Sequence, residues 1–139
     1  MPFPIDKQYI TAAEQVLNLT FPTSFKNKMM IENGGELFLA EDDWQLFPFF
    51  DESDQKRKMR TCNHIVHETK LARTWHGFPE QAVAFAHNGC GDYLIFLPEA
   101  FNQNVLAESI FIWFHETNEV EQITTSFFRF LEIFIDNSQ

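Results

Sequence analysis

Seventeen of the 139 residues are phenylalanine, and they run from Phe3 to Phe134. A ring of that size loses about 150–250 Å² to the interior when it is buried. Three Trp and two Tyr add to the load, so this chain has to fold around a large core and is not a disordered segment. The length fits one domain of roughly 100–200 residues. A chain of this size hides about two thirds of its unfolded surface without disulfides or metal. No repeat, low-complexity tract or Pro/Gly/Ser linker interrupts it, which predicts a single domain over 1–139. So much aromatic surface also predicts a partner-facing patch on a monomer or a weak homodimer.

Periodicity places the elements. Tyr9, Ile10, Ala13, Val16 and Leu17 form one helical stripe over about Asp6 to Leu17. Pro22 suits the first turn of a second helix carrying Phe25 and Met29, which Asn33-Gly34-Gly35 should close. Glu36 to Leu39 and Trp44 to Phe47 read as short strands around an acidic turn, Glu41-Asp42-Asp43. Asp51-Glu52-Ser53-Asp54 would cap a third helix over about Gln55 to Thr74. Its inner face would be Met59, Cys62, Val66 and Thr69, with Ile65 and Ala72 beside it and Arg57, Arg60, His64 and Glu68 outward. Ala82 to Ala86, Tyr93 to Leu97, Ile110 to His115 and Glu119 to Ile123 continue as a strand meander. The run Ile110-Phe111-Ile112-Trp113-Phe114 is apolar on both faces, so it belongs inside the sheet. A last helix after Ser126 would carry Phe127, Phe130, Leu131 and Phe134. The sum is α+β, a mainly antiparallel sheet flanked by about four helices.

Charge narrows the partners. The net charge is −10, and it is unevenly spread. Residues 36–54 hold seven acids and no Lys or Arg, whereas residues 55–76 hold six bases against Glu68. An acidic chain repels phosphate backbones, so nucleic acid is a poor partner and a basic protein a better one. Keeping a Phe-rich protein soluble would demand the same charge. The longest uncharged apolar stretch, Ser109 to Phe114, falls far below the roughly 18 residues of a membrane span. Cys62 and Cys90 lack any paired spacing, and MPFPIDKQYI has no secretory pattern, which predicts a reduced, cytoplasmic protein.

Catalytic and metal chemistry find little footing. Cys62-x-His64-x-x-His67, with His76, His87 and Cys90 as reserves, offers no second close pair to complete a tetrahedral zinc set. Cys90 next to His87 is a conceivable thiol pair, but no nucleophile elbow and no helix placed to lower the thiol pKa accompanies it. The turn Asn88-Gly89-Cys90-Gly91-Asp92 is better explained by glycine conformation and by Asn and Asp bonding their own backbone. Lys56 to Arg60 is a short basic run typical of a solvated helix face. The acids at 41–43 and 51–54 lack the spacing of a calcium loop. Neither an enzyme nor a cofactor is expected.

Several short motifs occur together: Ala13-Glu14, Leu19-x-Phe21-Pro22-x-Ser24-Phe25, Glu32-Asn33-Gly34-Gly35 and Trp44-x-Leu46-x-Pro48. Ala84-x-Ala86-x-Asn88-Gly89-x-Gly91-Asp92 and Ser126-Phe127-x-x-Phe130-Leu131 follow. In this order and spacing the chain resembles the SUKH superfamily, which groups cell-wall and glucan-synthesis regulators with bacterial toxin-immunity proteins. The resemblance implies an α+β fold and makes Asn33, Gly34, Gly35, Trp44, Asn88, Gly89, Gly91 and Asp92 fold signatures. It also implies a protein that binds a toxin, often a nuclease, or one that serves as a regulatory scaffold in wall synthesis. Combined with the charge, it predicts a basic toxin domain as partner. Glu41, Asp42, Asp43, Asp51, Glu52 and Asp54 are the candidate contact residues. A small metal- or thiol-dependent enzyme is the third alternative.

Overall fold

The computed structural model describes residues 3–124. Its elements are α1 (Lys7–Leu17), α2 (Thr23–Ile31), β1 (Gly35–Leu39), β2 (Asp42–Leu46), α3 (Gln55–Arg60) and α4 (Ile65–Ala72). Then come β3 (Val83–His87), β4 (Tyr93–Phe96), β5 (Pro98–Glu99), β6 (Asn102–Leu106), β7 (Ile110–Trp113) and β8 (Val120–Thr124). The expected helix after Ser126 lies outside the described residues.

The first two helices form where the apolar spacing puts them. In α1, Ile10, Ala13 and Leu17 are buried at helical intervals, whereas Val16, expected on the same stripe, faces outward and is exposed; Asn18 closes the helix with φ 56°. Glu14 then holds the corner: its carboxylate accepts from the Phe21 backbone N–H at 2.8 Å and from Lys26 Nζ at 3.2 Å. Phe25 and Met29 of α2 are fully buried.

Six strands form one antiparallel sheet in the order β1-β2-β3-β4-β7-β8. β7 is an interior strand, in keeping with its two-sided apolar run. β5 and β6 make a separate two-stranded ribbon that the sequence pattern did not announce. Val105 of that ribbon bridges Thr20 in parallel, tying it to the α1–α2 corner. Side chains alternate across the sheet. On one face Phe85 stacks on Phe96 with centroids 4.2 Å apart, and Phe25 meets both rings. Phe21 and Phe49 extend this cluster. On the other face Tyr93 and Trp113 pack against Phe78, and Trp113 Nε1 donates to the Gly77 carbonyl.

The expected third helix is two short ones. Thr61 Oγ1 donates back to the Arg57 carbonyl and accepts from the Asp51 N–H, each at 2.9 Å, which stops α3. The chain restarts at His64, whose Nδ1 accepts from the His67 N–H as an N-cap, while the Ile65 N–H donates to the Pro48 carbonyl. This break resets the helical register. Thr69 and Ala72 keep their inward place, but Met59 and Cys62 are exposed where an inner face was expected. Thr69 then does a strand's work: its hydroxyl donates to the Ala84 carbonyl and accepts from the Ala84 N–H. The alanine face of β3 lets α4 come close enough for that bond. The expectation of about four helices is therefore slightly off: the described residues divide the third into two, and the helix expected after Ser126 is not among them.

Candidate interaction face

Asn33, Trp44, Asn88 and Asp92, four of the residues expected to be fold signatures, bond backbone groups through their side chains. Asn33, 6% exposed, donates from Nδ2 to the Phe49 carbonyl at 2.9 Å and accepts at Oδ1 from the Phe49 N–H at 2.8 Å. It thereby pins the α2–β1 corner to the segment that leaves β2. Beside it the Lys28 ammonium donates to the carbonyls of Glu32 and Gly34, closing the end of α2. Burial lowers the Lys28 pKa from 10.5 to about 8, against the pull of Glu32. Trp44 is buried and donates from Nε1 to the Leu39 carbonyl.

Asn88 and Asp92 organise the β3–β4 turn. Asn88 Oδ1 accepts from the backbone N–H groups of Cys90 and Asp92, and its Nδ2 reaches Asp42 at 2.8 Å and Asp92 at 3.2 Å. Asp92 Oδ1 meets the His115 ring at 2.7 Å and accepts the His115 N–H. One network therefore links the start of β2, the β3–β4 turn and the end of β7. Burial would raise the Asp92 carboxyl, but the bonds from His115 and Asn88 hold it below the usual carboxylate value. Gly91 sits at φ 103°, and a Cβ there would lie 2.9 Å from the His115 ring, so both conformation and space require glycine. His115 escaped the sequence reading because it lies 23 residues from its partner. Cys90 is exposed and lines a hollow with Asp92 and His115.

The acidic candidates divide into two environments. The β1–β2 hairpin turns at Ala40 and Glu41, at φ 53° and 62°, so Asp42 and Asp43 already belong to β2 instead of the turn. Glu41 and Asp43 are exposed, whereas Asp42 is half-buried on Asn88. Around α3 the carboxylates are engaged inside the chain. Asp51 is 4% exposed and accepts from the Ser53 N–H and hydroxyl. Asp54 caps α3 through the Arg57 N–H and pairs with Arg57 Nη1 at 2.7 Å. That backbone bond, with the Arg57 guanidinium, keeps the Asp54 carboxyl low. Glu52 stays exposed. The basic run curls around one ring, with the guanidinium carbons of Arg57 and Arg60 at 4.4 and 5.0 Å from the Phe3 centroid.

Two hollows flank this region. A cavity of about 580 Å³ lies between α3 and the base of β1, with Glu32, Glu36 and Asp51 opposite Arg57 and Arg60. A second, of about 350 Å³, opens between α4 and the β3–β4 turn. Asn63 lines both. Among the described residues no group of three or more His, Cys, Asp or Glu could hold a metal ion. The Cys62-x-His64-x-x-His67 set is spread by the helix break, with His64 capping α4. Among the same residues no helix is long and apolar enough to cross a membrane.

Compared with known protein families, residues 4–133 match the one described as SMI1 / KNR4 family (SUKH-1). The search of curated proteins finds no match.

Proposed function

Because the chain belongs to the SMI1 / KNR4 family (SUKH-1), we propose that it is a protein-binding module that acts as an immunity protein, neutralising a basic, nuclease-type toxin by direct contact in the cytoplasm. The exposed acids of the β1–β2 hairpin carry this reading. Glu41 and Asp43 lie exposed on the two-stranded β1–β2 hairpin with Glu36, and residues 36–54 contain no Lys or Arg to neutralise them. Such an arm offers carboxylates where a nuclease cleft expects phosphates. Opposite fields also raise the association rate, which suits a protein that must capture its target quickly. Asp42, Asp51 and Asp54 support the face from behind, because their oxygens already hold Asn88, Ser53 and Arg57. Glu52 adds exposed charge near α3.

The test is calorimetric titration, with stopped-flow association kinetics, of the protein with its purified cognate toxin domain. Reversing Glu41 and Asp43 to Lys should weaken binding by at least about tenfold, mostly through the association rate, and flatten its salt dependence. Asp42 is left intact so that the Asn88 network survives. Unchanged affinity removes the acidic arm from the interface. Capture of wall-synthesis proteins in place of any toxin favours the regulatory scaffold.

A further inference from the structure

The cavity between α4 and the β3–β4 turn has a composition that the acidic arm does not explain. Its walls are largely aromatic: the His87 imidazole lies flat on Phe47, with centroids 5.0 Å apart and planes 6° from parallel. Tyr93, the strand partner of His87, stands beside them with its ring 6.3 Å from Phe47. Across the cavity is Glu68, a half-buried carboxylate in the first turn of α4. It has no ion pair among the described residues, and no Lys or Arg lines the cavity. Asn63 supplies a carboxamide at the rim. The glycines of the turn leave that side open, and nothing lies within 4 Å of a Cβ built on Gly89. Glu68 faces the tyrosine closely enough to bear on it: burial first, and then the Glu68 carboxylate, raise the Tyr93 pKa.

A carboxylate set among ring faces attracts a cation, because the rings present negative quadrupole faces and exclude competing water. A flat guanidinium suits it better than an ammonium, since it can stack on the outer face of His87 and still pair through two N–H groups with Glu68. Phe47, behind His87, keeps that imidazole plane in place. We propose that this cavity is a receptor for one arginine side chain of a basic protein partner, with Glu68 as counter-ion and His87 as stacking surface. The inference rests on the reading of the chain as a binder of basic proteins, and it adds a defined anchor to a diffuse acidic field.

The probe is acetyl-arginine amide, with acetyl-lysine amide and the neutral isostere acetyl-citrulline amide as comparisons. Ring signals of His87 and Tyr93 are followed by two-dimensional NMR at pH 7.5. The arginine derivative should give saturable shifts and bind several-fold more tightly than the lysine one, while citrulline should not saturate. Glu68→Gln, which keeps shape and helix position, should lower arginine affinity about tenfold with the rest of the spectrum intact. His87→Ala serves as a second variant should Glu68→Gln disturb α4, and loss of the arginine shifts in Tyr93 is expected there too. Equal shifts with citrulline, full affinity in Glu68→Gln, or shifts confined to residues 41–43 overturn the proposal. Should Glu68→Gln leave arginine binding untouched while hairpin reversal still weakens the toxin complex, only the anchor falls and the acidic-arm reading stands.

Discussion

Replacing Asn33 by Ala should be among the most damaging single changes in the described fold. Its carboxamide satisfies both the N–H and the carbonyl of Phe49, and Phe49 is fully buried. Water cannot reach the two orphaned groups without opening the packing of Phe49 on Phe21 and Phe25. Each buried group left without a partner costs about 1–3 kcal/mol, so the pair amounts to about 2–6 kcal/mol. That is a large part of the roughly 5–15 kcal/mol that holds a domain folded. Urea unfolding followed by the fluorescence of buried Trp44 and Trp113 measures the loss. With a slope of about 1.5–2 kcal/mol per molar urea, the midpoint should fall by about 1–4 M. Asn33→Asp sharpens the test. It retains the acceptor for the Phe49 N–H but turns a carboxylate toward the Phe49 carbonyl. Its folded pKa should therefore rise above the ordinary value near 3.9. A raised carboxyl pKa means the folded state holds a proton that the unfolded state has released, so the deficit grows with pH through that window and narrows on acidification. An Asn33→Ala loss below about 1 kcal/mol, or an Asn33→Asp deficit that stays flat from pH 7.5 down to about 4, would refute the clamp.

Two further outcomes follow from buried charge and turn geometry. Because burial lowers Lys28 to about 8, the unfolded chain binds a proton between pH 8 and 10.5 that the folded chain does not, and stability gains about 3 kcal/mol across that window. Chemical denaturation at pH 8 and 10 should show this rise in the wild type relative to Lys28→Met, and parallel slopes would contradict it. At the hairpin tip, Ala40→Asn with Glu41→Gly supplies residues that accept positive φ at both turn positions, so thermal melting should show a gain of about 1 kcal/mol. No gain would mean that the turn conformation costs the native sequence nothing.

Much of the architecture was legible because it depends on short-range periodicity. The stripe of α1, the stop after α2, the alanine face of β3 and the two-sided apolar run of β7 all follow from spacing alone. Readings failed where a distant group intervened. The helix expected over 55–74 had adequate propensity, but Thr61 bonding to Asp51 and Ile65 bonding to Pro48 divide it. The β5–β6 ribbon contains Asn102, Gln103 and Asn104, with no alternation to betray it, and Val105 meets Thr20 from across the molecule. Of the candidate contact residues, composition marked all six acids alike. Only the fold separates Glu41, Asp43 and Glu52, which stand exposed, from half-buried Asp42, buried Asp51 and exposed Asp54, whose oxygens hold backbone and side-chain donors.

The phenylalanine load thus settled, by sequence alone, that this chain would enclose a large aromatic core between helices and a sheet. Hydrophobic burial is non-directional and depends on how much apolar area there is and how it is spaced. What each signature residue does was decided by tertiary structure. The Asn33 grip on Phe49, the Asn88–Asp92–His115 network and the Glu68 cavity each join residues far apart in the chain. Hydrogen bonds and ion pairs act over a few ångströms and in fixed directions, so their partners exist only once the sheet has brought them together.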